Sequence, residues 1–319
     1  MELKHKSGLT PACSPLTAKP AELIESIHVD TIIELYKSNF NIDISSLCEN
    51  YEEIGFYLCK DSGLKFFYPA ITGDALFYGQ LQKYSWYYQD EKHEWGFAKK
   101  YTKDKRLVEI GCGEGKFCAH AQSSEYVGLE LNDSAVEIAV NNGIDVRNQL
   151  ASDHGKERAG YYDIVCSFQV LEHVKDIHGF ISDAINLCKH NGKIIFSVPN
   201  EDGFVGLASN NILNMPPHHV SRWTNKALKY LPHKYELELL QIHNDDFDMI
   251  HFEWYARILG GYILRKFFNR TVTPLLTTSI ADRMIEKAGR SIGKKLVKGG
   301  DFINILPAGH SVTVMYEKK

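Results

Sequence analysis

Between residues 105 and 200, five short β-branched runs alternate with helical stretches, and this alternation leaves one fold class open. The runs are RLVEIG (106–111), YVGLEL (126–131), DVRN (145–148), YDIVCSF (162–168) and GKIIFSVP (192–199), with helical stretches starting near Gly115, Ser134 and His178. Strands that alternate with helices form βαβ units, and their sheet is parallel. These runs are apolar on both faces, as a sheet covered on both sides requires. The expectation is an α/β fold with a doubly wound, mostly parallel sheet. A late run, SVTVMYEK (311–318), suits an antiparallel edge strand.

Composition removes other classes. The 319 residues are 44% apolar and 24% charged, ordinary for a soluble globular chain. Thirty-six Lys and Arg face 40 Asp and Glu, so the net charge of -4 argues against a surface built for nucleic acid. No apolar run of about 18 residues is present, so no membrane-spanning helix is expected. Residues 1–20 lack the apolar core of a signal peptide. The seven Cys are odd in number and scattered, which reads as reduced thiols in a cytoplasm.

The flanks differ in texture. Residues 1–20, with Gly8, Pro11, Pro15 and Pro20, read as a flexible arm. Leu23, Ile27, Ile32 and Leu35 predict a short helix over 21–38. Short strands and turns follow to Pro69, then one or two aromatic-rich helices over 74–101. Residues 21–104 thus form an N-terminal extension. The main domain runs over 105–319, with 200–305 as a substrate-side elaboration that includes a helix around 224–231.

The strongest motif is Val108-Glu109-Ile110-Gly111-Cys112-Gly113-Glu114-Gly115, between a strand and a helix. Glycines there let the backbone turn sharply and approach a ligand, and the helix that follows presents free N–H groups to an anion. A dinucleotide fingerprint needs its third glycine at the sixth position counted from Gly111, where Lys116 stands, so NAD is disfavoured. Glu130, about twenty residues after the loop, can accept both hydroxyls of a ribose.

The stretch Glu109 to Gly115, then Glu130, then Asp163-Ile164-Val165-Cys166-Ser167-Phe168-Gln169-Val170-Leu171-Glu172-His173-Val174, resembles class I S-adenosylmethionine-dependent methyltransferases over about 105–200. The resemblance implies a Rossmann-like methyltransferase sheet and S-adenosylmethionine as cofactor. It implies that Gly111, Gly113 and Gly115 lie by the methionyl part, that Glu109 is a further cofactor contact, that Glu130 holds the ribose, and that Phe168 and Gln169 line the pocket near the sulfonium. Asn148, at the end of the third strand, is the expected adenine-side contact. Residues 84–97 resemble the aromatic cover of that pocket, with Tyr87 or Tyr88 as contacts. Glu172 and His173 read as first-turn helix residues, His173 packing under the loop.

Phe56 to Pro69 resembles the zinc-ribbon lead-in of some bacterial methyltransferases that act on small molecules or glycans. Ser62 replaces the second Cys of the pair, and only Cys48 stands near the other pair, so no zinc is expected there. Met215-Pro216-Pro217-His218-His219-Val220-Ser221-Arg222-Trp223 recurs in the same group. The prolines favour an extended loop, and His218 or His219 is the candidate base, imidazole being suited to that task near neutral pH. With no third ligand visible nearby, a metal there is not expected.

No Asp/Asn-Pro-Pro-Tyr/Phe follows the fourth strand, which disfavours nucleic-acid bases as substrate. Residues 251–300 interleave Arg257, Arg265, Lys266, Arg270, Arg283, Lys287, Arg290, Lys294, Lys295 and Lys298 with aromatic residues. This reads as a lid insertion whose basic face could meet an anionic acceptor or a membrane surface peripherally. The expected activity is methyl transfer to a small-molecule or glycan-type acceptor, with a hydroxyl favoured. A catalytically inactive partner module that binds S-adenosylmethionine, and an NAD-dependent oxidoreductase, stay open as alternatives.

Overall fold

A computed structural model describes residues 11–84, 87, 91–270, 273–277, 279–299 and 309–319. The N-terminal part comprises β1 (Glu22–His28), α1 (Val29–Phe40), α2 (Ser45–Cys48), β2 (Glu53–Leu58), β3 (Lys65–Tyr68), α3 (Ala75–Leu81) and α4 (His93–Thr102). The central part runs β4 (Arg106–Ile110), α5 (Cys118–Ala121), β5 (Glu125–Glu130), α6 (Asp133–Asn141), β6 (Val146–Asn148), α7 (Ala151–Arg158), β7 (Tyr162–Phe168), α8 (Ile177–Leu187) and β8 (Cys188–Pro199). After it come β9 (Ser221–Arg222), α9 (Asn225–Lys234), β10 (Leu237–Asn244), α10 (Phe252–Phe267), α11 (Ile280–Gly299) and β11 (Ser311–Lys318).

The main sheet has the order β10-β11-β8-β7-β4-β5-β6. The five strands from β4 to β8 are parallel, and β10 and β11 are antiparallel. Adjacent residues point to opposite faces, and both faces are covered. Val108, Val165 and Ile194 enter one apolar cluster, while Leu107, Ile164 and Ile195 enter another. That is why these strands read as unbroken apolar runs rather than as alternation. Side chains start the helices: Asn132 accepts from the Ala135 amide, Asp176 from Gly179 and Thr224 from Ala227.

Two expectations are corrected. Residues 21–38 are not one helix: Glu22–His28 pairs antiparallel with β2, and only Val29–Phe40 is helical. The helical period belongs to Val29, Ile32 and Tyr36, which are the buried positions of α1, whereas Leu23 is exposed on a strand. The final strand is antiparallel as expected, but it is internal, because β10 covers its outer side.

β1, β2, β3 and β9 form a second, antiparallel sheet. Strand β9 comes from the Pro-Pro-His-His loop, so this sheet ties the N-terminal extension to the loop that follows β8. Helices α10 and α11 form a hairpin packed on Phe204 and Val205, just after β8. Their backbones touch where Gly260 meets Gly289 and Gly293 meets Ala256, and no side chain fits at those crossings. Among the described residues, no helix is long and apolar enough to cross a membrane.

Candidate functional site

The turn after β4 is built on left-handed backbone. Gly111, Gly113 and Gly115 have φ of 72°, 56° and 70°, where L side chains are strained. The Gly111 and Cys112 amides both donate to the Leu129 carbonyl, at 2.7 and 3.2 Å, which seats the turn on the end of β5. Glu130 then closes it. One carboxylate oxygen accepts from the Gly113 amide at 2.9 Å, and the other accepts from the Leu131 and Asn132 amides at 2.8 and 2.9 Å. A carboxylate offers about four lone-pair sites, so Glu130 keeps capacity for a ligand hydroxyl.

The remaining expected residues divide. Glu109 is buried against Tyr126, whose hydroxyl donates to it at 2.5 Å, and burial pushes its carboxyl up to about 8. Phe168 packs edge-on against Phe117 at the cleft floor. Gln169, at φ 58°, donates to Glu94, Ser197 and Ser311 and lines the cleft. Tyr87 lines it too, its ring 6.1 Å from that of His218. Tyr88 lies outside the described residues. Asn148 is exposed and donates to Asp133 at 2.6 Å and Leu131 at 3.4 Å, while its neighbours Gln149 and Leu150 line the cleft.

The cleft has a volume of about 2030 Å³ and runs from the glycine turn to the loop carrying His218 and His219. That is larger than one small-molecule site of ~300–1,000 Å³ needs, so it has room for two ligands. Its far side is walled by α3, Ile250 and Trp254. None of the basic side chains from Arg257 to Lys295 is among the lining residues. Arg290 and Lys294 pair with Glu253, and Arg265 and Arg270 with Asp282, and these four cations brace the hairpin.

At that far end His173 joins His218 and His219, and the three rings lie 4.5 to 4.8 Å apart by centroid. The expectation of no third imidazole nearby is therefore corrected. His173 sits in the short turn Leu171–His173 after β7, and β7 lies beside β8 in the sheet. Burial holds His173 down at about 4, and burial with the neighbouring imidazoles keeps His218 and His219 well below the ordinary range. All three are neutral at pH 7.

The loop is fixed from behind. Tyr36 donates to the Ile212 and Met215 carbonyls, and the buried Arg222 guanidinium donates twice to the Asn214 carbonyl, at 2.9 and 2.6 Å. Glu172 is buried at the cleft with neither carboxylate oxygen hydrogen-bonded, and burial pushes it up to about 8. Glu94 is also buried there. Sequence reasoning missed Glu94, since nothing marks one acid in an aromatic helix. In the lead-in segment, burial raises the Cys59 thiol, but hydrogen bonds involving Ser62, Thr17 and Ser14 outweigh it and bring it to about 7. The chain thus gives Cys59 hydrogen-bonding hydroxyl neighbours where the resembling pattern has a second thiol.

Comparison with known proteins gives concordant matches. A family profile for a methyltransferase domain matches residues 82–242, just over half of the chain. A ubiquinone biosynthesis O-methyltransferase from Nitrosomonas europaea is 30% identical over 107 residues, covering 31% of this chain and 46% of the relative. One from Escherichia coli is 27% identical over 139 residues, covering 39% of this chain and 58% of the relative. The chain thus spans about half the length of the curated relatives it matches. Among solved structures, a SAM-dependent methyltransferase from Archaeoglobus fulgidus superposes with a TM-score of 0.46 at 16% identity, over 70% of this chain and 90% of that one.

Proposed function

The chain belongs to the methyltransferase-domain family, and from that premise we propose that it transfers the methyl group of S-adenosylmethionine to a hydroxyl of a small-molecule or glycan-type acceptor. The observation that carries this reading is one cleft with a glycine turn and an acid at one end and neutral imidazoles at the other. The curated relatives are named as O-methyltransferases, which supports oxygen as the methylated atom.

The turn at Gly111, Gly113 and Gly115 suits the amino-acid tail of the cofactor, and the free acceptor capacity of Glu130 suits its ribose. Glu109, Phe168, Gln169 and Tyr87 close the pocket around the reacting end, and Tyr88 is retained as a candidate contact. Bound S-adenosylmethionine supplies a sulfonium-activated methyl group. The chain has to hold the acceptor oxygen in line and exclude water, and such orientation is worth up to ~7–11 kcal/mol. His218 and His219 are the candidate bases. Their Nδ1 atoms donate to the Leu213 carbonyl and the Asn214 side-chain oxygen, at 2.8 and 2.9 Å, so Nε2 keeps its lone pair for the acceptor proton. A base of this kind contributes ~10²–10⁴-fold.

The test is a panel of hydroxyl acceptors with methyl-labelled S-adenosylmethionine. Formation of S-adenosylhomocysteine with label in the acceptor is expected. His218→Ala and His219→Ala should lower turnover while calorimetric affinity for the cofactor stays unchanged. Binding with no turnover on any acceptor would favour the inactive-module alternative. A thermal shift with NAD but none with S-adenosylmethionine would overturn the reading.

A further inference from the structure

His173, His218 and His219 each offer one ring nitrogen to a group whose ligating atoms all lie within 4.8 Å of one another. Two come from adjacent positions of one loop, and the third comes from a turn 45 residues earlier. The hydrogen bonds behind them fix which nitrogen is free. His173 Nδ1 donates to the His218 carbonyl at 2.5 Å, His218 Nδ1 to the Leu213 carbonyl at 2.8 Å, and His219 Nδ1 to the Asn214 amide oxygen at 2.9 Å. A carbonyl oxygen only accepts, so in the neutral rings each Nδ1 carries the proton and each Nε2 holds the lone pair. Imidazoles that ligate metals are held in this way, the second nitrogen donating to an oxygen that fixes tautomer and ring orientation.

A second observation is independent of the first. Both oxygens of Glu172 are buried and lack a hydrogen-bond partner, and one lies 3.9 Å from His173 Nε2. A buried carboxyl group with no hydrogen-bond partner is costly. A cation held on the three imidazoles beside it would give those oxygens a partner. Three lone pairs and an orphaned acid facing one cleft form an incomplete coordination shell.

We propose that His173, His218 and His219 bind a divalent transition-metal ion of the Zn²⁺ class, with Glu172 as fourth ligand or charge partner and an open position facing the cleft. Imidazole donors suit Zn²⁺ and its first-row neighbours rather than Mg²⁺ or Ca²⁺. Three protein nitrogens plus an open position is the pattern of a reactive rather than a structural zinc site. Bonds of ~2.0–2.1 Å put ligand nitrogens about 3.3 Å apart, so the ligating atoms, now within 4.8 Å of one another, close in on the ion when it binds.

This rests on the proposed methyl transfer and, in the metal-loaded enzyme, replaces the free-imidazole base by an acceptor oxygen bound to the ion. The open position would take the acceptor oxygen and lower its pKa, as a metal ion does for bound water. The hydroxyl proton passes to the Glu172 carboxylate and then to solvent. The oxygen lone pair forms the new O–C bond while the C–S bond breaks, its electron pair staying on sulfur as a neutral thioether. In the metal-loaded enzyme the Nε2 lone pairs are spent on the ion, so neither His218 nor His219 takes the proton.

The experiment uses the full chain, stripped with a chelator and titrated with Zn²⁺ against a chromophoric competitor, without acceptor. S-adenosylmethionine binding is measured on the same sample by calorimetry. One equivalent of Zn²⁺ is expected, with visible d–d bands of four-coordinate Co²⁺ on substitution. His219→Gln and His173→Gln should each weaken Zn²⁺ at least 100-fold, and Glu172→Gln ~10-fold or more. If either His variant fails to fold, the wild-type stoichiometry and Co²⁺ spectrum still decide. No stoichiometric ion, a six-coordinate Co²⁺ spectrum, or unchanged affinity in folded His variants overturns the metal site. Those results with intact cofactor binding leave the methyltransferase reading standing. Loss of cofactor binding with Zn²⁺ retained overturns that reading instead.

Discussion

Val170 packs directly over Gly111, and a Cβ at Gly111 would stand 2.4 Å from Val170 Cγ2. Two constraints therefore act on one residue: the neighbouring side chain leaves no space, and φ of 72° disfavours any L side chain. Gly111→Ala is expected to cost at least tenfold in S-adenosylmethionine affinity and to lower the melting temperature. Adding Val170→Ala removes the clash but not the conformational cost of ~1–2 kcal/mol, so the double variant should recover only part of the loss. Calorimetry and thermal melting of the three proteins check this, and full recovery would assign the whole effect to sterics.

Glu130 closes the turn and, in the proposed function, also holds the ribose. Its carboxylate ties down three amides, so Glu130→Ala should weaken cofactor binding at least tenfold and also loosen the turn. Glu130→Gln keeps an acceptor for some of those amides but loses the charge. Its expected signature is a large affinity loss with a smaller fall in melting temperature than Glu130→Ala. Equal affinity in wild type and Glu130→Gln would remove the ribose from this residue.

The turn, Glu130 and the five parallel strands were legible because each leaves a local mark, whether glycine spacing, an acid at a strand end or an apolar run. Strand β10 left none. LELLQIHN is half-exposed on the outer edge of the sheet, and its pairing with β11 is set by tertiary contact. The third imidazole was hidden for a similar reason. His173 is 45 residues from His218 and meets it only because β7 and β8 are neighbours in the sheet. Asn148 stands at the expected strand end, but that its side chain turns to Asp133 is a direction that spacing does not carry.

Burial of Glu109 has a pH consequence. Its carboxyl is raised to about 8 in the folded protein, against an ordinary value near 4.5, so the folded state keeps a proton that the unfolded chain releases. Stability from this group is complete below about pH 4.5 and is lost as pH rises toward about 8. Glu109→Gln cannot ionise and escapes that loss. The melting temperature of Glu109→Gln relative to wild type should rise between pH 5 and pH 8.5 by ~1.5–3 °C, the effect of about 1–2 kcal/mol in a chain of this size. Parallel pH–melting curves would refute the assignment.

Arg222 lies behind the imidazoles and reaches them through Asn214. Its guanidinium donates to the Asn214 carbonyl while the Asn214 side chain receives His219 Nδ1–H, so one residue links the buried cation to the candidate base. The guanidinium also lies over the Phe56 and Phe67 rings, at 4.9 and 5.4 Å, and 3.9 Å from Glu201. Arg222→Ala removes packing and a buried charge partner together, and such losses cost about 3–5 kcal/mol. Arg222→Met keeps most of the volume over the rings, and Lys65 still pairs with Glu201 at 2.8 Å, so it should fold with a smaller loss. In Arg222→Met the His219 ring loses its fixed support while the glycine turn, on other elements, is untouched. Cofactor affinity should hold while acceptor turnover falls, ~10-fold or more, and the ratio of kcat to KM effects separates misplacement of the imidazole from plain loss of stability. Unchanged turnover in a folded Arg222→Met protein would show that Asn214 holds His219 without help from the cation.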